Sequence, residues 1–159
     1  MMLLLGLALA GPTEMGAAMG VAGVRTSSGQ HPLELGLCAW YRKGLGRGRH
    51  LEAELWTASL SEPLVKVGSI DTRFVRPSLM LGWHGGTRKS TVGFSAGPAL
   101  TSISGGLGGG NVLLRAGIRA KIDLRIPLGA HWLLVSHAGF GTRRTSGDVD
   151  WMFGLGRSF

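Results

Sequence analysis

From Val112 to Leu128 every even-numbered residue is apolar: Val112, Leu114, Ala116, Ile118, Ala120, Ile122, Leu124, Ile126 and Leu128. Arg115, Gly117, Arg119, Lys121, Asp123 and Arg125 fill most of the odd positions between them. A helix, repeating every ~3.6 residues, would scatter these side chains around its surface, whereas an extended strand sends alternate residues to opposite faces. The segment is therefore predicted to be a long strand with one apolar and one charged face.

The same period of two recurs along the chain. A first, weak run from about Glu14 to Arg25 sets Met15, Ala17, Met19 and Val21 against Glu14, Gly16, Ala18 and Gly20. A second opposes Leu33, Leu35, Leu37, Ala39 and Tyr41 to Glu34, Gly36, Cys38, Trp40 and Arg42. Further runs cover His50 to Thr57, Val75 to His84, Thr91 to Leu100, Val112 to Leu128, Trp132 to Gly141 and Asp148 to Phe159. Gly, Ser, Pro and charged clusters separate them, the pattern of an all-β meander rather than of βαβ units. Eight strands are expected in one domain over residues 14–159, with the stretch from Leu60 to Arg73 open by a strand in either direction. Thr26 to Gln30 and the glycine-rich Ser104 to Gly110 read as loops, and Pro77 removes one ladder donor inside the fourth strand.

The chain ends on Val149, Trp151, Phe153, Leu155, Arg157 and Phe159, alternating with Asp148, Asp150, Met152, Gly154, Gly156 and Ser158. Here the sequence resembles the bacterial outer-membrane β-barrel proteins, whose last strand alternates apolar residues, carries a glycine five residues before the end and stops at a terminal Phe. The resemblance implies a closed antiparallel up-and-down β-barrel of about eight transmembrane strands, located in the outer membrane of a Gram-negative bacterium. It also implies that Trp151, Phe153, Gly154, Leu155 and Phe159 form the signal read by the barrel-insertion machinery. Outer-membrane lipids and lipopolysaccharide are the expected surroundings, and the protein is expected to be a monomer.

Composition agrees with a folded chain that presents apolar surface to something other than water. Hydrophobic residues make up 44% and charged residues 16% of 159 positions, despite 28 glycines. The net charge of +8 resides in strand polar faces and short connections such as Arg42, Lys43, Arg47, Arg49, Arg88, Lys89, Arg143 and Arg144. A nucleic-acid groove needs aromatics on the basic face, and here most aromatics alternate onto the opposite one, so no nucleic acid is expected as a partner. Met1 to Ala10 is too short to span a bilayer as a helix; its apolar run and Ala8-Leu9-Ala10 suit a secretory signal lacking its basic start. Joining it to Gly16–Val24 as one anchor helix is opposed by Pro12 and Glu14.

Alternation leaves open which face looks inward, since a soluble lipocalin-like barrel has the same period with apolar residues inside. Three features favour the membrane arrangement. Tyr41, Trp83, Trp132, Trp151 and Phe159 fall on the apolar face and are expected near strand ends, as interfacial aromatics are. The other face carries small residues and both signs of charge, so Glu34, Glu52, Glu54 and Asp123 are expected to neutralise Arg76, Arg115, Arg119 and Lys121 in a narrow lumen filled by its own side chains. The signal-like start and the terminal Phe bracket the chain.

Catalysis finds little support. Lipid A deacylase barrels place a His and a Ser two apart on one face, whereas in Ser136-His137-Ala138-Gly139 the two are neighbours and point to opposite faces. His31, His50, His84, His131 and His137 lack metal-ligand spacing. Gly105 to Gly110 is followed by no Lys-Ser/Thr, and no phosphate loop is expected. The lone Cys38 reads as a buried thiol, and no cofactor is expected. A structural, adhesion-like or permeability-related role is the leading expectation; a narrow solute channel, a lipid-modifying enzyme and a soluble ligand-binding barrel are the alternatives.

Overall fold

The computed structural model describes residues 11–26, 29–30, 34–64, 68–87, 89–105, 112–143 and 146–159. The signal-like Met1–Ala10, His31, Arg88, Arg144 and the glycine run from Gly106 to Gly110 lie outside them. Eight long strands follow one another: β1 (Thr13–Thr26), β2 (Glu34–Gly46), β3 (Arg49–Leu64), β4 (Gly68–Gly86), β5 (Thr91–Gly105), β6 (Val112–Pro127), β7 (Trp132–Arg143) and β8 (Ser146–Ser158). Each pairs antiparallel with its neighbour in sequence, and β8 returns to β1 through a register running from Glu14↔Ser158 to Arg25↔Gly147. The eight long strands thus form a closed up-and-down barrel, and closure leaves none of them as an edge strand of the barrel wall. Phe159 completes the seam: its N–H donates to the Thr13 carbonyl at 2.8 Å.

Two departures from the expected strand pattern have local causes. The stretch read as ragged is strand over residues 60–64 and 68–73: β3 and β4 continue past their amphipathic cores and pair from Leu60↔Thr72 to Leu64↔Gly68, because backbone hydrogen bonding sustains the pairing without alternation. Thr26 and Gly29, read as loop, pair with each other, as do Arg25 and Gln30; Ser104 and Gly105 likewise belong to β5. Pro77 pairs with Leu55 of β3, while the β4–β5 ladder thins between Val75↔Ser102 and Leu81↔Ala96, where Pro77 and Pro98 each lack a donor. The β2–β3 turn places Gly46, Arg47 and Gly48 at φ 82°, 52° and 74°, left-handed values that the two glycines adopt without cost from a Cβ.

The strict alternation fixes what faces where. Large apolar side chains are exposed on the exterior of every strand, from Met19 and Leu35 through Leu81, Phe94 and Ile118 to Phe140 and Phe153. The opposite parity is buried inside the barrel and contains Arg42, Glu52, Glu54, Arg76, Arg119, Lys121, Asp123 and Asp150. This polarity is the reverse of a water-soluble barrel's. Each strand has between 12 and 19 residues, more than the roughly 9–11 that cross a bilayer at a tilt.

The lumen as candidate functional site

Strand β6 supplies Arg119, Lys121, Asp123 and Arg125 at successive inward positions, and the facing strand β3 supplies Glu52 and Glu54. Arg119 donates Nε to Glu54 Oε1 at 2.9 Å and its two terminal nitrogens to the Asp150 carboxylate of β8 at 2.6 and 3.0 Å. Lys121 Nζ donates to Glu54 Oε2 at 2.8 Å and also pairs with Glu52. Arg42 of β2 donates to Glu52 at 2.8 Å and to Asp123 at 2.7 Å. Asp123 accepts from Arg125 Nε at 2.6 Å, and Arg125 extends the chain of contacts to Glu14 on β1. Arg76 of β4 pairs with Asp148 and lies 4.3 Å from the Trp56 ring centre, a cation–π contact.

Five buried cations thus meet six carboxylates drawn from β1, β2, β3, β4, β6 and β8. An unpaired charge in such an interior costs several kcal/mol, so the arrangement holds only as a set. Packing makes room for it: Gly139 and Gly141 of β7 lie directly beneath the Arg119 and Arg76 guanidinium groups, and a Cβ at either would overlap them. An apolar cluster of Trp40, Trp56, Phe74 and Met152, packed with Cys38 and Val135, shares the lumen with these charges. Toward the turns, His50 shares hydrogen bonds with Ser95 at 2.8 Å and with His84 at 3.3 Å.

Of the residues expected in the charge network, Glu52, Glu54, Arg76, Arg119, Lys121 and Asp123 come together. Glu34 and Arg115 stand apart, half-buried at the loop end, where Glu34 begins β2 and Arg115 lies opposite Thr101; Arg115 makes no ion pair with another described residue. Both share the correct parity, but their strands carry them beyond the paired layer. Arg42, Arg125, Asp148, Asp150 and Glu14 were not singled out from sequence, although each alternates with outward apolar residues and could have been found by parity alone.

Tyr41, Trp83, Trp132 and Phe159 are exposed toward the end of the barrel that holds the short turns and the C-terminus. Trp151 departs from the expected strand-end position: it lies mid-way along β8, donating Nε1 to Ser136 Oγ at 3.1 Å and packing near Phe153. Phe153 and Leu155 are likewise outward, while Gly154 faces inward, where a Cβ would strike the β1 backbone at Ala17. Ser136 is therefore on the exterior and His137 is buried in the lumen, 3.4 Å from Asp150, so the two form no nucleophile–base pair. Cys38, Glu54 and His137 converge with ligand atoms within 4.8 Å of one another. The carboxylate that a metal would need is already held by Arg119 and Lys121, whose charges oppose a further cation.

No protein-family model matches the chain, and no curated protein matches it in sequence. Solved structures do match in fold. Neisserial surface protein A superimposes with a TM-score of 0.78 at 12% identity, covering 94% of this chain and 99% of that one. The attachment invasion locus protein Ail of Yersinia pestis, in complex with the heparin analogue sucrose octasulfate, gives 0.69 at 13% identity with the same coverage. The outer membrane protein OprG of Pseudomonas aeruginosa gives 0.63 at 13% identity, covering 94% and 96%. The chain therefore has the fold of the small eight-stranded outer-membrane barrels.

Proposed function

We propose that the protein is an outer-membrane barrel of a Gram-negative bacterium, with a structural, adhesion-like or permeability-related role and a lumen closed by its own side chains. The observation that carries this reading is the inverted polarity: an exterior of exposed apolar residues on all eight strands around an interior of paired charges. Such an exterior far exceeds the apolar patch that a soluble monomer leaves uncovered, and burying it in lipid removes the penalty. The fold shared with an attachment protein and with outer-membrane barrels supports the same reading. Outer-membrane lipids and lipopolysaccharide surround the wall, the insertion machinery acts during assembly, and the barrel functions as a monomer without catalysis.

Outer-membrane fractionation followed by gel electrophoresis with and without boiling tests location and closure together. A band in the outer-membrane fraction whose mobility changes on heating is expected; a soluble band of fixed mobility contradicts the proposal. Planar-bilayer recording of the refolded protein tests the closed lumen, since a steady large conductance is incompatible with it.

A further inference from the structure

The exterior wall is not uniformly bulky. On β1, β2 and β3 the outward residues Ala17, Ala39 and Ala53 are small, and they leave a depression between the ridges of Leu37 and Leu55. Two adjoining hollows of about 730 and 720 Å³ share Ala17, Ala39 and Leu55 and so form one groove. It runs from Met15 and Tyr41 toward the loop end, where it reaches Thr57, Ser59 and Arg73. From Ala53 to Ser59 along β3 is about 20 Å of extended strand, comparable with a medium-length acyl chain.

The loop end of the groove has a different chemistry. Arg73 is exposed and outward; its register partners are Ser59 on β3 and Ser104 on β5, so one guanidinium is flanked by two hydroxyl-bearing residues on the same outer face. Glu34, which begins β2 on the inward parity, borders this end without adding a donor to it. Guanidinium and hydroxyl donors above an apolar trough are complementary to a phosphate attached to an acyl chain. The alternating exterior of β6, with Ile118 and Ile122 on the opposite wall, carries no outward cation beside its apolar run.

We propose that this groove is a lipid site that seats one acyl chain of a phosphorylated membrane lipid over Ala17 and Ala39, with the phosphate held by Arg73. The site rests on the membrane reading above and specifies which lipid chemistry the wall selects in the leaflet at the loop end. A lipid held there is ordered against the wall, while its neighbours exchange freely.

Native mass spectrometry of the barrel refolded in a nonionic detergent tests the site, using dimyristoyl phosphatidic acid and dimyristoylglycerol as probes. The wild type is expected to retain the phosphatidic acid about tenfold more strongly, the factor that one charge-assisted contact supplies. Arg73→Ala should remove that preference and Arg73→Lys should restore part of it, while Ala39→Leu, which fills the groove, should weaken both lipids. Equal retention of the two probes by the wild type, an unchanged preference in Arg73→Ala, or pairing of two barrels in place of lipid adducts overturns the proposal. Insertion of the same preparation into liposomes is scored separately, so failure of the membrane reading is distinguished from failure of the site.

Discussion

Arg119 and Asp150 face each other across β7 through two parallel hydrogen bonds of 2.6 and 3.0 Å, a bidentate pair between strands that are not neighbours in the sheet. The same guanidinium holds Glu54 on the far wall, so one side chain ties β3, β6 and β8 together through the lumen. Removing it strips the buried Asp150 carboxylate of its bidentate partner and Glu54 of one of its two hydrogen-bonded cations. Arg119→Met is expected to destabilise the barrel by about 3–5 kcal/mol, read from urea unfolding in liposomes. The double variant Arg119→Met/Asp150→Asn should recover part of this loss; a single variant as stable as wild type would show that the network contributes nothing.

Gly139 is the space that the fork occupies, since a Cβ there would overlap the Arg119 guanidinium. Gly139→Val should cost about 1–3 kcal/mol by overpacking, measured in the same unfolding experiment. In the Arg119→Met background the cost should shrink, because the flexible thioether can yield.

Ile118 lies one residue from Arg119 but on the outer wall, 57% exposed. Ile118→Arg therefore puts a cation into lipid rather than into the lumen, at a cost of about 2–4 kcal/mol near the midplane. Folding yield into vesicles should fall, whereas Ile118→Leu should leave it unchanged. Equal yields for Arg and Leu would mean that this face does not meet hydrocarbon.

Phe159 contributes differently through its backbone and its ring. Its N–H bonds Thr13 at the barrel seam, while its ring is exposed, with the Arg157 guanidinium 5.1 Å from its centre. Phe159→Ala keeps the backbone bond, so unfolding of the purified, refolded protein should change by less than about 1 kcal/mol. Assembly in cells should nevertheless drop if the terminal ring is part of the insertion signal. Undiminished assembly, measured as heat-modifiable protein in the outer membrane, would remove that role from the ring.

Local alternation made the strands legible, and with them the face on which each charge lies. Glu52, Glu54, Arg119 and Lys121 could be assigned to one interior because parity is a property of neighbouring residues in a single strand. Which cation meets which carboxylate was not legible. Arg119 finds Asp150 across β7, and Arg42 finds Asp123 across the lumen, through strand register and stagger that no single run encodes. The same limit explains Glu34 and Arg115, which have the right face at the wrong height, and Trp151, whose aromatic character suited a strand end but whose register places it mid-strand. The continuation of β3 through Leu64 and of β4 from Gly68 escaped the pattern because a two-stranded extension is held by backbone hydrogen bonds without needing an amphipathic code.

A membrane barrel requires that the even-numbered face of β6 meet lipid. In a Cys38→Ala background, spin labels placed singly at positions 116, 118, 120, 122 and 124 of the bilayer-inserted protein report this directly through collision with oxygen or with a water-soluble nickel chelate. High oxygen and low nickel accessibility at all of these positions, deepest near Ile118 to Ile122, is the predicted result. High nickel accessibility along the run would place that face in water and rule out a membrane-facing wall.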